Sequence, residues 1–299
     1  MSKPQLFRSL WGSSPDSWES LFSSLKLQGF HGVEASLLDV GFSDTEKFVT
    51  LLRKHQLVWI CSLYTSWADY MGKWERLSVD AHLSNFEVQL NTMLAIAEPP
   101  VHINCHSGSD SFTLKESIDY FTKSISIQQR VLQGKEIPLS HETHRGRSLY
   151  SPWITLEIAQ QVPQILFTLD VSHWHVVCER ILDPQDIDLV LRRTAHIHAR
   201  VGTAQQPQIS DPRDPQFKHV VEAHELLWRT AIAYQKDIPS LAHRIAPTLT
   251  PEYGPMEDGG YMPCIAVHIS HPSGDIKKSC ARELDELIID EGHRLQGTL

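Results

Sequence analysis

Ile137-Pro-Leu-Ser-His-Glu142-Thr-His-Arg-Gly-Arg147 runs from an apolar lead-in straight into a carboxylate. Ile137 and Leu139 read as a buried strand. Glu142, flanked by His141 and His144 and followed by Arg145 and Arg147, reads as its reactive end. The same grammar recurs in Ile165-Leu-Phe-Thr-Leu-Asp170-Val-Ser-His173, in His196-Ile-His198-Ala-Arg200 and in Thr248-Leu-Thr-Pro-Glu252-Tyr. Glu142 and Asp170 are 28 residues apart, and so are Asp170 and His198. The 54 residues from His198 to Glu252 include a polar insertion at 202–215. Oxygen and nitrogen donors at the ends of successive apolar runs are what a metal site at the mouth of a barrel requires.

Around these runs the chain alternates between strand and helix patterns. Strands are expected at 5–11, 29–37, 57–64, 101–106, 137–142, 165–170, 195–201 and 247–252. Helical spacing is expected at 17–27, 43–55, 78–98, 112–132, 152–161, 184–194, 217–236 and 277–295. Ser43-Asp-Thr-Glu46 has the form of a capping box opening the second helix. Eight such alternations in 299 residues predict an α/β fold, a (β/α)8 barrel occupying 1–299 as one domain. A two-domain dinucleotide-binding arrangement would need a glycine-rich fingerprint after a strand, and none is present.

Composition narrows the function classes. With 41% hydrophobic and 21% charged residues the chain supports a full core. The net charge of −9 argues against the phosphate backbone of nucleic acid as a partner. Five cysteines, an odd number with no CxxC pair, fit a reduced compartment better than a disulfide framework. No signal-peptide core and no membrane-length run is visible, so a cytoplasmic protein without membrane contact is expected.

Glu142, Asp170, His198 and Glu252 would meet at the mouth as a hard, anionic site for one divalent cation. Mn²⁺, Mg²⁺ or Co²⁺ suits such donors, and Zn²⁺ is admissible. A cation there would bind neighbouring oxygens of a polyol or hydroxy-ketone and acidify the adjoining C–H. The two glutamates would remove and return the proton. Plainer roles exist: a salt bridge to Arg145 or Arg147 for Glu142, a cap for Asp170, an exposed loop position for Glu252. The common register of all four favours convergence. His196 lies two residues before His198 on the same strand face and competes with it as ligand. Glu34 reads as a polar residue of the barrel floor or mouth and stays outside the site. Trp67, Trp153 and Trp174 offer flat walls for a sugar face, and Gln205, Gln206 and the 254–274 loop offer a lid.

The ordered motifs resemble the xylose isomerase-like barrels, a superfamily of sugar isomerases, ketose 3-epimerases, inosose dehydratase-like enzymes and endonuclease IV. Gly29-Phe-His-Gly-Val-Glu34 resembles its second-strand motif. His102-Ile-Asn-Cys-His106-Ser-Gly108 resembles its fourth-strand His-x-Gly, and Asp170-Val-Ser-His173 its Asp-x-x-His. The resemblance implies that Glu142, Asp170, His198 and Glu252 are metal ligands, with Glu142 and Glu252 as the acid/base pair. It also implies that His173 and Arg200 touch the substrate. His106, Arg145 and Arg147 join them as expected contacts to a small sugar or polyol, anionic ones included; self-association is left open. The endonuclease branch needs extra histidines on strands three and seven. Cys61-Ser-Leu-Tyr64 and Ala199-Arg-Val-Gly202 do not supply them. The expectation is therefore a metal-dependent sugar isomerase or epimerase. A dehydratase or lyase acting on keto-sugars is the alternative, ahead of a non-catalytic sugar-binding barrel or a nuclease.

Overall fold

The computed structural model describes residues 3–66, 76–254 and 276–299. Its strands are β1 (Gln5–Ser9), β2 (Phe30–Ser36), β3 (Val58–Tyr64), β4 (His102–His106), β5 (Leu139–Glu142), β6 (Phe167–Leu169), β7 (Thr194–Ala199) and β8 (Thr248–Pro251). All run parallel and pair in chain order, and β1 pairs with β8, so the sheet closes. Between and after the strands lie α1 (Trp18–Leu25), α2 (Leu37–His55), α3 (Val79–Leu94), α4 (Leu114–Val131), α5 (Pro152–Gln161), α6 (Ser172–Cys178), α7 (Asp188–Leu191), α8 (Lys218–Gln235) and α9 (Ile276–Thr298). The expected (β/α)8 barrel is thus observed.

Alternate residues of each strand serve two separate layers, because successive side chains of a strand point to opposite faces. Val33 and Ala35 on β2, Ile103 and Cys105 on β4, and Ile197 and Ala199 on β7 join the apolar core. The helices complete that layer. On α8, Val220, His224, Leu227, Trp228, Ala231 and Gln235 recur at helical spacing as its buried stripe. The intervening strand residues are mostly polar and are buried, among them Glu34, His102, Asn104, His106, His196 and His198. His102 Nε2 lies 2.7 Å from Ser140 Oγ, and Ser140 Oγ lies 2.6 Å from Thr168 Oγ1. Barrel interiors are ordinarily filled by Val, Ile and Leu. Here polar side chains occupy that space, and His102, Ser140 and Thr168 bond to one another there.

The helix boundaries moved in two instructive places. The helix expected at 43–55 begins at Leu37, so Ser43 does not open it. Val40, buried at the start of this helix, gives the earlier turn an apolar anchor. A capping box occurs instead at Thr113 and Glu116: the Glu116 N–H donates to Thr113 Oγ1 (3.2 Å) and the Thr113 N–H to Glu116 Oε2 (2.8 Å). The single helix expected at 184–194 shrinks to a 3-10 turn at Pro184–Asp186 and the four-residue α7, and an unexpected helix, α6, follows β6. Asp170 Oδ1 accepts the Ser172 N–H (3.0 Å) and hydroxyl (2.6 Å), which turns the chain into α6 directly after β6. Among the described residues no helix is long and apolar enough to cross a membrane. Trp67 and the loop positions after Gly254 that were expected to form a wall and a lid lie outside the described residues.

Candidate metal centre and active site

Strands β5 to β8 deliver Glu142, Asp170, His198 and Glu252 to one end of the barrel. One ligand atom from each lies within 4.8 Å of the other three. All four residues are buried, Glu252 being the most accessible at 9%. His198 Nδ1 sits between the glutamates, 2.8 Å from Glu252 Oε2 and 3.5 Å from Glu142 Oε2. Yet His198 Nδ1, Glu252 Oε2 and Glu142 Oε1 have no hydrogen-bond partner. The 2.8 Å contact is close but not directed along an N–H, so we read it as charge proximity and not as a formed hydrogen bond. Lone-pair atoms that face one space without bonding to each other fit a divalent cation, and three carboxylates with one imidazole are the donor set of a hard ion.

The charges explain the titration of these groups. Burial opposes the Glu142 carboxylate, but the His106 and His198 rings prevail and hold its pKa well below the usual range. Burial likewise opposes Glu252, and Arg200 and then His198 bring its pKa down. Asp170 is pushed up to about 6 by burial, against the pull of Arg200 and with the Glu252 and Glu142 charges adding to the rise. For His198 burial disfavours the proton, but Glu34, Glu142 and Glu252 together raise its pKa well above that of an ordinary imidazole. A cation held in this cage would have to take the place of that proton.

His196 points into the same interior one layer lower. Its Nδ1 faces the Thr248 carbonyl (3.1 Å) and hydroxyl (2.9 Å), away from the acids. The geometry therefore puts His198, and not His196, in the four-residue cluster.

Glu34 was left outside the site, and the structure puts it next to His198. Its Oε1 lies 2.9 Å from His198 Nε2 and accepts the Ser62 hydroxyl at 2.8 Å. Its Oε2 accepts the Thr250 hydroxyl and lies 3.3 Å from His196 Nε2. Burial works against this carboxylate, yet the charges of His198 and hydrogen bonds from both histidines keep its pKa well below normal. Asn104, also overlooked, donates to Glu142 Oε2 at 2.8 Å. Both residues belong to the inward alternate of their strands. The polar-apolar alternation of Val33-Glu34-Ala35 and His102-Ile-Asn-Cys-His106 was the available signal.

Of the five expected substrate contacts, His106 lines the cleft above the acids, with Trp11, Tyr64, His198 and Glu252. Its Nε2 is 2.9 Å from Glu142 Oε2, and its ring stacks on Tyr64 at 4.3 Å between centroids. Arg200 and His173 are placed differently from the expectation. Arg200, 1% exposed, bridges Asp170 Oδ2 (2.9 Å) and Glu252 Oε1 (3.0 Å). His173, fully buried, lies 3.5 Å from Asp170 Oδ2, and its ring is 3.8 Å from that of His144. Both touch the acids because a guanidinium and an imidazole are drawn to buried carboxylates. Arg147 is also buried, with its charge acting on His144 and Cys105, whereas Arg145 stays partly exposed. Trp174 is no sugar wall: it is fully buried and its indole N–H donates to the Leu149 carbonyl at 2.9 Å. Two flanking groups, Glu34 with His196 and His198, and Glu142 with His106 and His144, share residues with the central four.

The cleft holds about 40 Å³, whereas a hollow of about 660 Å³ opens at the opposite end of the barrel around Val58, Pro99, Pro100, Arg244 and Ile245. The smaller one is chemically the more significant, because Glu34, His106, His198 and Glu252 line it.

No family model matches the chain, and no curated protein matches its sequence. Its fold is matched among solved structures. A D-allulose 3-epimerase from Methylomonas sp. is similar at a TM-score of 0.59 with 16% identity, over 100% of both chains. The chain has the (β/α)8 barrel fold of that epimerase. A 3-keto-D-glucoside 4-epimerase from E. coli is similar at a TM-score of 0.56 with 13% identity, over 94% of this chain and 98% of that one. A D-psicose 3-epimerase from Clostridium cellulolyticum H10, solved with D-tagatose, gives 0.55 and 12%, over 98% of this chain and 99% of its own. At these identities the likeness is one of fold.

Proposed function

We propose that this chain is a divalent-metal-dependent isomerase or epimerase of a small sugar or sugar derivative. The observation that carries the reading is the convergence of Glu142, Asp170, His198 and Glu252, with buried donor atoms left unbonded. The epimerases of similar fold act on ketoses and a keto-glycoside, which supports the substrate class. A cation bound by these four residues would polarise a carbonyl and its neighbouring hydroxyl and offset the negative charge that develops on them.

The chain's own groups handle the proton. Glu142 Oε1, free of any hydrogen bond, takes a proton from the carbon beside the carbonyl. Glu252, arriving from β8 with His198 Nδ1 between it and Glu142, returns a proton from the other side. His106 and Arg200 hold the two carboxylates in place from opposite flanks. Arg145, partly exposed, is the guanidinium available to an anionic substituent.

The test incubates the metal-loaded protein with ketoses, inososes and keto-glycosides in D₂O and follows them by NMR. Deuterium entering beside the carbonyl, and falling about 10²- to 10⁴-fold in Glu142→Gln and Glu252→Gln, supports the proposal. Elimination of water or of a glycosidic group would move the assignment to a lyase. No exchange with any of these substrates would overturn it. Metal analysis should return one divalent ion per chain.

A further inference from the structure

The interior layer beneath the acids does more than fill space. Glu34 is reached from three strands besides its own: Ser62 on β3, His196 and His198 on β7, and Thr250 on β8. A carboxylate offers about four acceptor positions. Two are taken by the Ser62 and Thr250 hydroxyls, and the 2.9 Å contact to His198 Nε2 takes a third. Glu34 is 4% exposed and sits on β2, whose backbone is paired on both sides. Gly32, two residues earlier, packs so tightly on β3 that an added Cβ would lie 2.0 Å from the Val58 carbonyl oxygen. The carboxylate is therefore fixed in position before any ligand arrives.

A fixed acceptor dictates how the histidine above it presents itself. The nitrogen facing Glu34 must keep its hydrogen, so when the ring gives up a proton to a cation the lone pair appears on the other nitrogen. That atom, Nδ1, is the one between Glu142 and Glu252. We propose that Glu34 is a positioning residue: it accepts the Nε2–H of His198 and so commits Nδ1 to the cation site. His196 then belongs to the supporting layer, with Thr248 and Thr250 around it. The inference rests on the metal reading of the four-residue cluster, and extends it to a residue outside that cluster, on the wall of the same cleft. Partners of this kind typically change metal affinity 10- to 100-fold.

Two variants test it. Glu34→Ala removes the acceptor, whereas Glu34→Gln keeps an oxygen of the same reach without the charge. Calorimetric titration with Mn²⁺ should show affinity weakened roughly 10- to 100-fold in Glu34→Ala and by less in Glu34→Gln. In ¹⁵N-labelled protein, with and without Mg²⁺, the His198 Nε2–H should appear as a downfield, slowly exchanging proton. It should be lost in Glu34→Ala and shifted in Glu34→Gln. Should Glu34→Ala fail to fold, the shift and the smaller affinity loss in Glu34→Gln decide the matter. Unchanged Mn²⁺ affinity in both variants, or an Nε2–H signal that ignores both substitutions, would overturn the positioning role. Wild-type protein that takes up no Mn²⁺ would instead overturn the metal reading, and the Nε2–H signal of the metal-free protein would still judge Glu34.

Discussion

Replacing Arg200 by methionine tests how the acids are held apart from one another. Arg200 is 1% exposed, and its guanidinium bonds Asp170 Oδ2 through Nε (3.1 Å) and Nη2 (2.9 Å) and Glu252 Oε1 through Nη2 (3.0 Å). Methionine keeps much of the volume and removes the charge. Two buried carboxylates then lose their shared cation, which for a buried pair costs about 3–5 kcal/mol. At about 2 °C per kcal/mol, the low end for a chain of this size, the metal-free variant should melt about 6–10 °C below wild type. A divalent cation ought to reverse much of this. Without the guanidinium, Asp170 and Glu252 are free to face the ion, and saturation at about 100 times the dissociation constant returns about 2.7 kcal/mol. Scanning calorimetry with and without 1 mM Mn²⁺, on the order of such saturation, measures both effects. A metal-free Arg200→Met that melts with wild type would refute the bridging role. A variant gaining less from Mn²⁺ than wild type would refute the idea that Arg200 and the cation serve the same acids.

Two further outcomes concern stability. His224 and His175 lie in the core with ring centroids 4.6 Å apart; burial drives their pKa values down to about 4 and about 2. Below pH 6.5 the unfolded chain binds protons that these folded residues refuse, so stability falls as pH drops. For His224 the loss is about 1.4 kcal/mol per pH unit down to about pH 4, roughly 3 kcal/mol in all. Urea titrations at pH 4.5 and 7.5 should show a smaller acid loss in His224→Gln; an identical loss would contradict the buried neutral ring. Gly32→Ala drives a Cβ against the Val58 carbonyl oxygen, where only backbone movement gives relief. A destabilisation of at least about 1–3 kcal/mol is expected, with weaker Mn²⁺ binding because β2 also carries Glu34. Wild-type stability in this variant would show that the β2–β3 contact has slack.

The barrel itself was legible from residue order. Eight apolar runs separated by helical spacing have few ways to bury their surfaces other than a closed parallel sheet, and the acids at the run ends announced at which end of it they would gather. The convergence of Glu142, Asp170, His198 and Glu252 was legible for the same reason: each stands at a recurring position relative to its strand. Glu34 was not. Its partners lie 28, 162, 164 and 216 residues away along the chain, and only closure of β1 on β8 brings β2 within reach of β7 and β8. The choice between His196 and His198 was equally invisible, since strand periodicity gives both the same face. Depth along the barrel axis separates them, and depth is set by how neighbouring strands register. Arg200 likewise read as a substrate contact until the fold buried it between two carboxylates. Local pattern determined which residues face inward; the tertiary structure decided what each one meets there, because hydrogen bonds and charge pairs act across space and carry no trace in the spacing of a single strand.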